Sequence, residues 1–208
     1  PLSAELGAAQ IALHLAEGLR GRGHDAVAWS PEPLPPGARW WNLWRRQRQA
    51  IDAFATREGP FDVIDTPALT ASPALARAAR RLVVRSVQPE LSYLGQELKG
   101  APTPRWLLHA FVAAPRAAAI LGGWQRAGAI LCLGSLERDR MRRRFPSWAP
   151  KLGFYVCAPA AAERAALAAV RRERRPGPPR DGARFLWVGR WAAHKGTRRL
   201  VRFLAERA

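Results

Sequence analysis

The stretch Ala127-Gly-Ala-Ile-Leu-Cys-Leu133 is an uninterrupted apolar run, followed by Gly134-Ser135 and a strongly basic segment. A short apolar run without alternation is typical of a strand buried on both faces of a parallel sheet. Ser135 is a good N-cap residue, so the sequence predicts a helix over 136–145 directly after this strand.

The same alternation of strand and helix extends in both directions from this run. Short strand patterns occupy 26–29, 61–64, 82–84 and 152–156. Helical patterns occupy 8–19, 41–57, 73–81, 105–126 and 161–174, with a break expected at Pro115. Strands that alternate with helices predict an α/β fold with a Rossmann-like, doubly wound parallel sheet.

A Pro/Gly-rich segment over 176–182 predicts a linker between two domains. Residues 1–175 would form the first Rossmann-like domain. Residues 183–208 would supply the first strand, 185–188, and the first helix of a second Rossmann-like domain. The sequence begins without Met or a strand pattern and ends inside a helical one, so we expect a fragment whose opening strand is missing.

The composition is basic and arginine-rich. The 208 residues carry a formal net charge of +18, and only three of the 34 basic residues are lysines. Such a bias is typical of a GC-rich genome and equally of a surface selected for a polyanion, and both explanations stay open. Cys132 and Cys157 lie in apolar runs, which favours core packing over a disulfide framework, and no Cys/His spacing predicts a metal site.

The segment Phe185-Leu-Trp-Val-Gly-Arg190-Trp-Ala-Ala-His-Lys195-Gly-Thr197 carries the clearest functional pattern. A buried strand ends in Gly189-Arg190, and Lys195-Gly196 opens a helix. Ligands of open α/β sheets bind at the carboxyl ends of strands, where a helix N-terminus favours an anion. Arg190 offers a planar fork and Lys195 a mobile charge, so the pattern predicts a diphosphate site.

This segment resembles the start of the C-terminal domain of retaining, GT-B-fold glycosyltransferases of the family-4 type. In that family the Arg and Lys bind the donor's diphosphate, which implies the same role for Arg190 and Lys195, beside Gly189. The opening also resembles the family: Gly7 stands in its glycine-rich loop before the first helix, which ends in Arg22-Gly23-His24. The resemblance spans nearly the whole chain.

The resemblance implies transfer of a sugar from a nucleotide-diphosphate sugar to an unidentified glycan, lipid or small-molecule acceptor, without a further cofactor or metal. The fragment alone would be inactive. The family often has a histidine in its catalytic cleft just after the strand that corresponds to 82–85. This sequence has Ser86, Gln88 and Glu90 there instead, so Gln88 and Glu90 are the weak catalytic candidates.

Two other classes of function stay open. The high charge fits a nucleic-acid-binding protein, although no recognition module is present and this is the less favoured reading. The missing cleft histidine leaves room for a non-catalytic binding protein of the same fold. Trp40, Trp41 and Trp44 beside three arginines fit either core packing or contact with an anionic membrane. We expect a cytoplasmic protein, in the second case peripheral at the inner face of the membrane.

Overall fold

The computed structural model describes residues 7–32, 43–86, 90–97, 104–155, 161–173, 201–202 and 205–206. The described strands are β1 (Phe61–Thr66), β2 (Ala79–Arg85), β3 (Ala129–Leu133) and β4 (Leu152–Tyr155). The described helices are α1 (Gly7–Arg20), α2 (Leu43–Glu58), α3 (Pro73–Ala78), α4 (Glu90–Glu97), α5 (Pro104–Arg126), α6 (Ser135–Arg144) and α7 (Ala161–Glu173), with 3-10 helices at Ala68–Thr70 and Pro146–Lys151.

The four strands form one all-parallel sheet in the order β1-β2-β3-β4. The prediction of a parallel α/β fold is therefore confirmed. Each new strand is added beside the previous one, in the same direction across the sheet. A doubly wound sheet requires a reversal of this direction, and no reversal is seen among these four strands. Their carboxyl ends meet at one edge, which we call the carboxyl edge.

The core lies on one face of the sheet. Leu82, Val84, Ile130 and Cys132 are almost completely buried there. Val84 pairs with Ile130, so the two strands present these side chains to the same side. Trp124 of α5 joins this cluster and contacts Phe145 and Trp148 edge-on. On the opposite face, by contrast, Val63 is 56% exposed.

At Gly123, helix α5 lies directly against the backbone of Ala68. A Cβ atom added there would lie 3.0 Å from the carbonyl carbon of Ala68 and would overlap its oxygen. Only a glycine allows this close approach. The helix thereby packs tightly against the 3-10 helix Ala68–Thr70 that follows β1.

Four local predictions need correction. Ala26–Trp29 is not a strand; the Trp29 ring instead stacks on Phe54 of α2, with centroids 4.2 Å apart. The helix expected over 73–81 ends at Ala78, because β2 pairs with β1 from Ala79 onward. Helix α5 continues through Pro115, since the ring removes one helical N–H without ending the helix. Ser135 is the first residue of α6, and its N-cap is Gly134, at φ 83°.

The chain divides into two compact units, Pro1–Ala158 and Pro159–Ala208. Helix α7 lies in the second unit, and its residues 165–173 are all exposed. The linker expected over 176–182 and the strand over 185–188 lie outside the described residues, so the domain boundary stays a prediction. In the described part of the chain, no helix is long and apolar enough to cross a bilayer.

Candidate functional site: the carboxyl edge of the sheet

The residues after β2 and β3 place polar groups along the carboxyl edge. Ser86 follows the last residue of β2 and is 3% exposed. Its backbone N–H donates to Leu131 O over 2.8 Å, and its carbonyl accepts the hydroxyl of Tyr155 over 2.6 Å. These bonds tie the end of β2 to β3 and β4.

Glu137 lies in the first turn of α6, where a carboxylate is favoured by the helix dipole. Its Oε1 accepts the hydroxyl of Ser86 over 2.7 Å, and its Oε2 accepts the N–H of Leu133 over 2.5 Å. A charged acceptor with two donors is a strong anchor. Glu137 therefore fixes the start of α6 to both neighbouring strands.

Glu90 begins α4 and is the most unusual titratable group among the described residues. It is 8% exposed, and its Oε2 atom is buried with no hydrogen-bond partner among the described residues. Burial, together with the negative charge of Glu137, raises its pKa from 4.5 to about 7. The Leu69 backbone N–H and the charge of Arg116 pull the pKa down, but less strongly.

Such a carboxyl group exchanges its proton near neutral pH and can donate or accept a hydrogen bond there. Buried polar atoms are nearly always paired in folded proteins, so an unpartnered carboxylate oxygen calls for an explanation. A raised pKa in a buried site also marks a functional candidate. Glu90 is thus the described residue best suited to bind or activate a polar ligand.

A second charged group lies on the opposite face of the sheet. The guanidinium of Arg85 forms a bidentate ion pair with Asp65 on the neighbouring strand, with Nε 3.0 Å from Oδ2. The same guanidinium lies 4.8 Å from the ring centroid of Tyr155. Arg85 thereby bridges β1 and β4 across the sheet. Its charge is neutralised by Asp65, so we assign it a structural role.

Cys132 lies below this edge and is free and buried. Burial, and after it the charge of Glu137, raises the pKa of its thiol to about 12. A thiol of this kind is not ionised at neutral pH and is a poor nucleophile. The expectation of a core cysteine is confirmed for Cys132, whereas Cys157 lies outside the described residues.

The predicted site residues divide into described and undescribed ones. Glu90 is described and lies at the carboxyl edge. Gly7 is described as the first residue of α1, and its role in a phosphate loop stays a prediction. Gln88, Gly189, Arg190 and Lys195 lie outside the described residues.

Sequence reasoning missed Glu137, because it stands in a helix that the composition marks only as basic. An acidic residue in the first turn of a predicted helix is favoured by the helix dipole, and this was the available signal. Arg116 was also missed, since nothing in the sequence of α5 relates it to Glu90. Among the described residues, no three His, Cys, Asp or Glu side chains are grouped so as to hold a metal ion.

A shallow cleft of about 310 Å³ lies at the other end of the strands. It is lined by Phe61 and Asp62 at the start of β1 and by Arg77 and Arg80 around the start of β2. Parallel sheets bind their ligands at the carboxyl ends of strands rather than at the amino ends. The carboxyl edge with Glu90 therefore stays the preferred site.

Comparison with known proteins adds no assignment: no family model, curated protein or solved structure matches the chain.

Proposed function

We propose that the chain is part of a GT-B-type retaining glycosyltransferase that uses a nucleotide-diphosphate sugar. The sequence motif around Arg190 and Lys195 is one support for this proposal. The other is an all-parallel sheet whose carboxyl edge holds Glu90, a buried carboxyl group with one oxygen that has no hydrogen-bond partner among the described residues. The doubly wound topology and the second Rossmann-like domain over 183–208 belong to the same proposal.

The observation that carries the proposal is the place of Glu90. It follows β2, where the resembled family has a cleft residue, and its pKa of about 7 suits a group that binds a hydroxyl. In this proposal Glu90 forms a hydrogen bond to a hydroxyl group of the acceptor.

The transfer itself breaks the bond between the anomeric carbon and the diphosphate oxygen, and the diphosphate leaves with the electron pair. The acceptor oxygen forms the new bond to that carbon and passes its proton to an oxygen of the leaving diphosphate. Arg190 and Lys195 would stabilise the growing negative charge of the leaving diphosphate, so their effect would be greatest in the transition state.

The test is kinetic and uses the full-length protein with a panel of nucleotide sugars, scored by release of nucleotide diphosphate. Lys195→Ala should lower kcat more than it raises the donor KM. Arg190→Lys should also lower kcat, because the lysine keeps the charge but lacks the planar fork of the guanidinium. Glu90→Gln should lower kcat/KM for the acceptor by about 10- to 100-fold, the range for one hydrogen bond to a charged group. Arg80→Lys, at the opposite end of the strands, is the matched control.

Wild-type kinetics in all three variants would overturn the proposal. Tight binding of a nucleotide sugar without turnover would instead identify a non-catalytic binding protein of this fold. A cytoplasmic location remains part of the proposal, and fractionation of cells that express the full-length protein tests it.

A further inference from the structure

Helix α6 carries a cluster of cations on its solvent side. Arg140, Arg142, Arg143 and Arg144 are all exposed, and we call them the α6 arginine surface. Both acidic residues of the helix are engaged elsewhere: Glu137 with Ser86 and Leu133, and Asp139 with Arg138, whose Nη2 lies 2.9 Å away. Within the described part of the chain, no carboxylate pairs with these four arginines.

The helix has two distinct sides. Met141 faces the sheet and is buried. Leu136, Arg140 and Arg143 are spaced by four and three residues, which places them along one side of the helix, away from Met141. Leu136 is 63% exposed, so an aliphatic side chain lies in the first turn of the helix, on the same side as Arg140 and Arg143.

Helix α2 is also rich in arginine, but its large apolar side chain, Trp44, is less exposed than Leu136 of α6. In α2, Arg45 and Arg46 are exposed, but Trp44 is half-buried. Trp44 is seven residues before Ile51, on the side of α2 that packs against the core. Trp44 is therefore half-buried on the side of α2 that faces the core, and the guanidinium of Arg45 lies 5.4 Å from its ring centroid.

We propose that the α6 arginine surface binds an anionic lipid bilayer, with Leu136 inserted at the boundary between headgroups and acyl chains. The positive charge complements an anionic leaflet, and an exposed leucine on the same side of the helix as Arg140 and Arg143 matches the interfacial mixture of charge and apolar surface. A nucleic-acid backbone would use the arginines but not Leu136. This proposal does not depend on the proposed transfer reaction.

A neighbouring feature agrees with a lipid partner. Phe154 lies on β4, at the edge of the described sheet, and is 44% exposed. The guanidinium of Arg138 lies 4.7 Å from its ring centroid. Aromatic rings beside cations are typical of side chains at a membrane interface.

A purely structural role for the arginines is the alternative. Arg142, Arg143 and Arg144 occupy the last turn of α6, where cations interact favourably with the helix dipole. Lysine substitutions keep that interaction, and they also keep attraction to a charged surface. Glutamine substitutions remove both, so unfolding must be measured beside binding.

The experiment measures co-sedimentation of the full-length protein with vesicles of phosphatidylcholine alone or with phosphatidylglycerol added. We expect binding that requires phosphatidylglycerol and weakens with salt. Arg140→Gln/Arg143→Gln/Arg144→Gln should lower the affinity about 100-fold, since each basic side chain near an anionic surface contributes about fivefold. The matched triple variant, Arg22→Gln/Arg77→Gln/Arg80→Gln, removes the same charge elsewhere and should change the affinity by less than about threefold.

Three further variants test the role of Leu136 and of the positive charge. Leu136→Ser should weaken vesicle binding several-fold, whereas Leu107→Ser, at an equally exposed leucine of α5, should not. The lysine triple variant of the α6 arginine surface should bind vesicles like the wild type. Equal losses in the two glutamine variants would overturn the proposal. So would tighter binding of a short DNA duplex than of vesicles, with no effect of Leu136→Ser, which would identify a nucleic-acid surface.

Discussion

The hydroxyl of Ser86 donates to Oε1 of Glu137 over 2.7 Å, and this bond joins the end of β2 to the first turn of α6. The two residues are 51 positions apart in the chain. Since the bond joins residues so far apart in the chain, it contributes to the stability of the whole sheet edge rather than to one turn.

Ser86→Ala should therefore lower the free energy of unfolding by about 1–3 kcal/mol, because Glu137 loses one of its two donors. Ser147→Ala, at an exposed serine of the 3-10 helix Pro146–Lys151, is the control and should stay within about 0.5 kcal/mol of the wild type. Urea unfolding monitored by tryptophan fluorescence measures both. A loss as small as that of the control would contradict the anchoring role of this bond.

Glu90 should make the stability of the protein depend on pH. Its pKa is higher in the folded state than the ordinary value of 4.5, so between pH 4.5 and 7 the folded state binds more protons than the unfolded state. The favourable contribution is complete below pH 4.5 and is lost as the pH rises through about 7. The full difference amounts to about 3 kcal/mol.

The amide of Glu90→Gln cannot ionise. The free energy of unfolding of this variant should therefore increase relative to that of the wild type as the pH rises from 5 to 8. The slope of this difference against pH is the measured quantity, because the amide adds a constant offset of its own. Glu17→Gln, at an exposed position of α1, is the control and should follow the wild-type slope. Parallel curves for Glu90→Gln and the wild type would contradict the raised pKa.

Gly123→Ala should destabilise the protein by about 1–3 kcal/mol, because the added methyl group meets the carbonyl of Ala68. Gly18→Ala provides the matched control in α1, where a Cβ atom would have nothing within 4 Å. There the substitution should stabilise the helix by about 0.5–1 kcal/mol. Thermal unfolding of both variants gives the comparison, and a stabilised Gly123→Ala would show that α5 does not approach the 3-10 turn so closely.

Lys151→Met should cost about 1–3 kcal/mol of stability. The Nζ of Lys151 donates to the carbonyls of Trp124, Gln125 and Ala127 at the end of α5, over 2.5, 3.0 and 3.2 Å. These carbonyls have no helical partners, so the ammonium group caps the helix. Arg126→Met, at an exposed position of the last turn of α5, should have little effect on stability. A loss of stability equal to that of Lys151→Met would show that the positive charge near the helix end stabilises the protein, and that the hydrogen bonds of Lys151 do not.

Sequence patterns predicted most of the elements because their apolar periodicity is strong. The apolar run Ala127–Leu133 correctly predicted β3, and the apolar pattern that begins at Phe61 correctly predicted β1. The pattern at Ala26–Trp29 is just as apolar, but its tryptophan packs on Phe54 and the segment pairs with no strand in the described residues. Local propensity alone cannot distinguish these two outcomes, since pairing depends on a partner elsewhere in the chain.

The candidate site was predictable only in part. Glu90 could be found because it follows a strand of a parallel sheet. The lack of a hydrogen-bond partner for its Oε2 among the described residues, and the effect of the Glu137 charge, depend on the three-dimensional fold, which sequence spacing does not contain. The segment with Arg190 and Lys195 lies outside the described residues, so its role stays a prediction from the motif.

The hydrogen bond from the Tyr155 hydroxyl to the Ser86 carbonyl joins β4 to the end of β2. Strand β3 lies between them in the sheet, so this bond can form only after three strands have assembled. Ser86 and Tyr155 are 69 positions apart, so the chain must close a long loop before they meet. The conformational entropy of that loop is lost before the hydrogen bond forms. We therefore expect this bond to form after the folding transition state, so that it slows unfolding and leaves the folding rate unchanged.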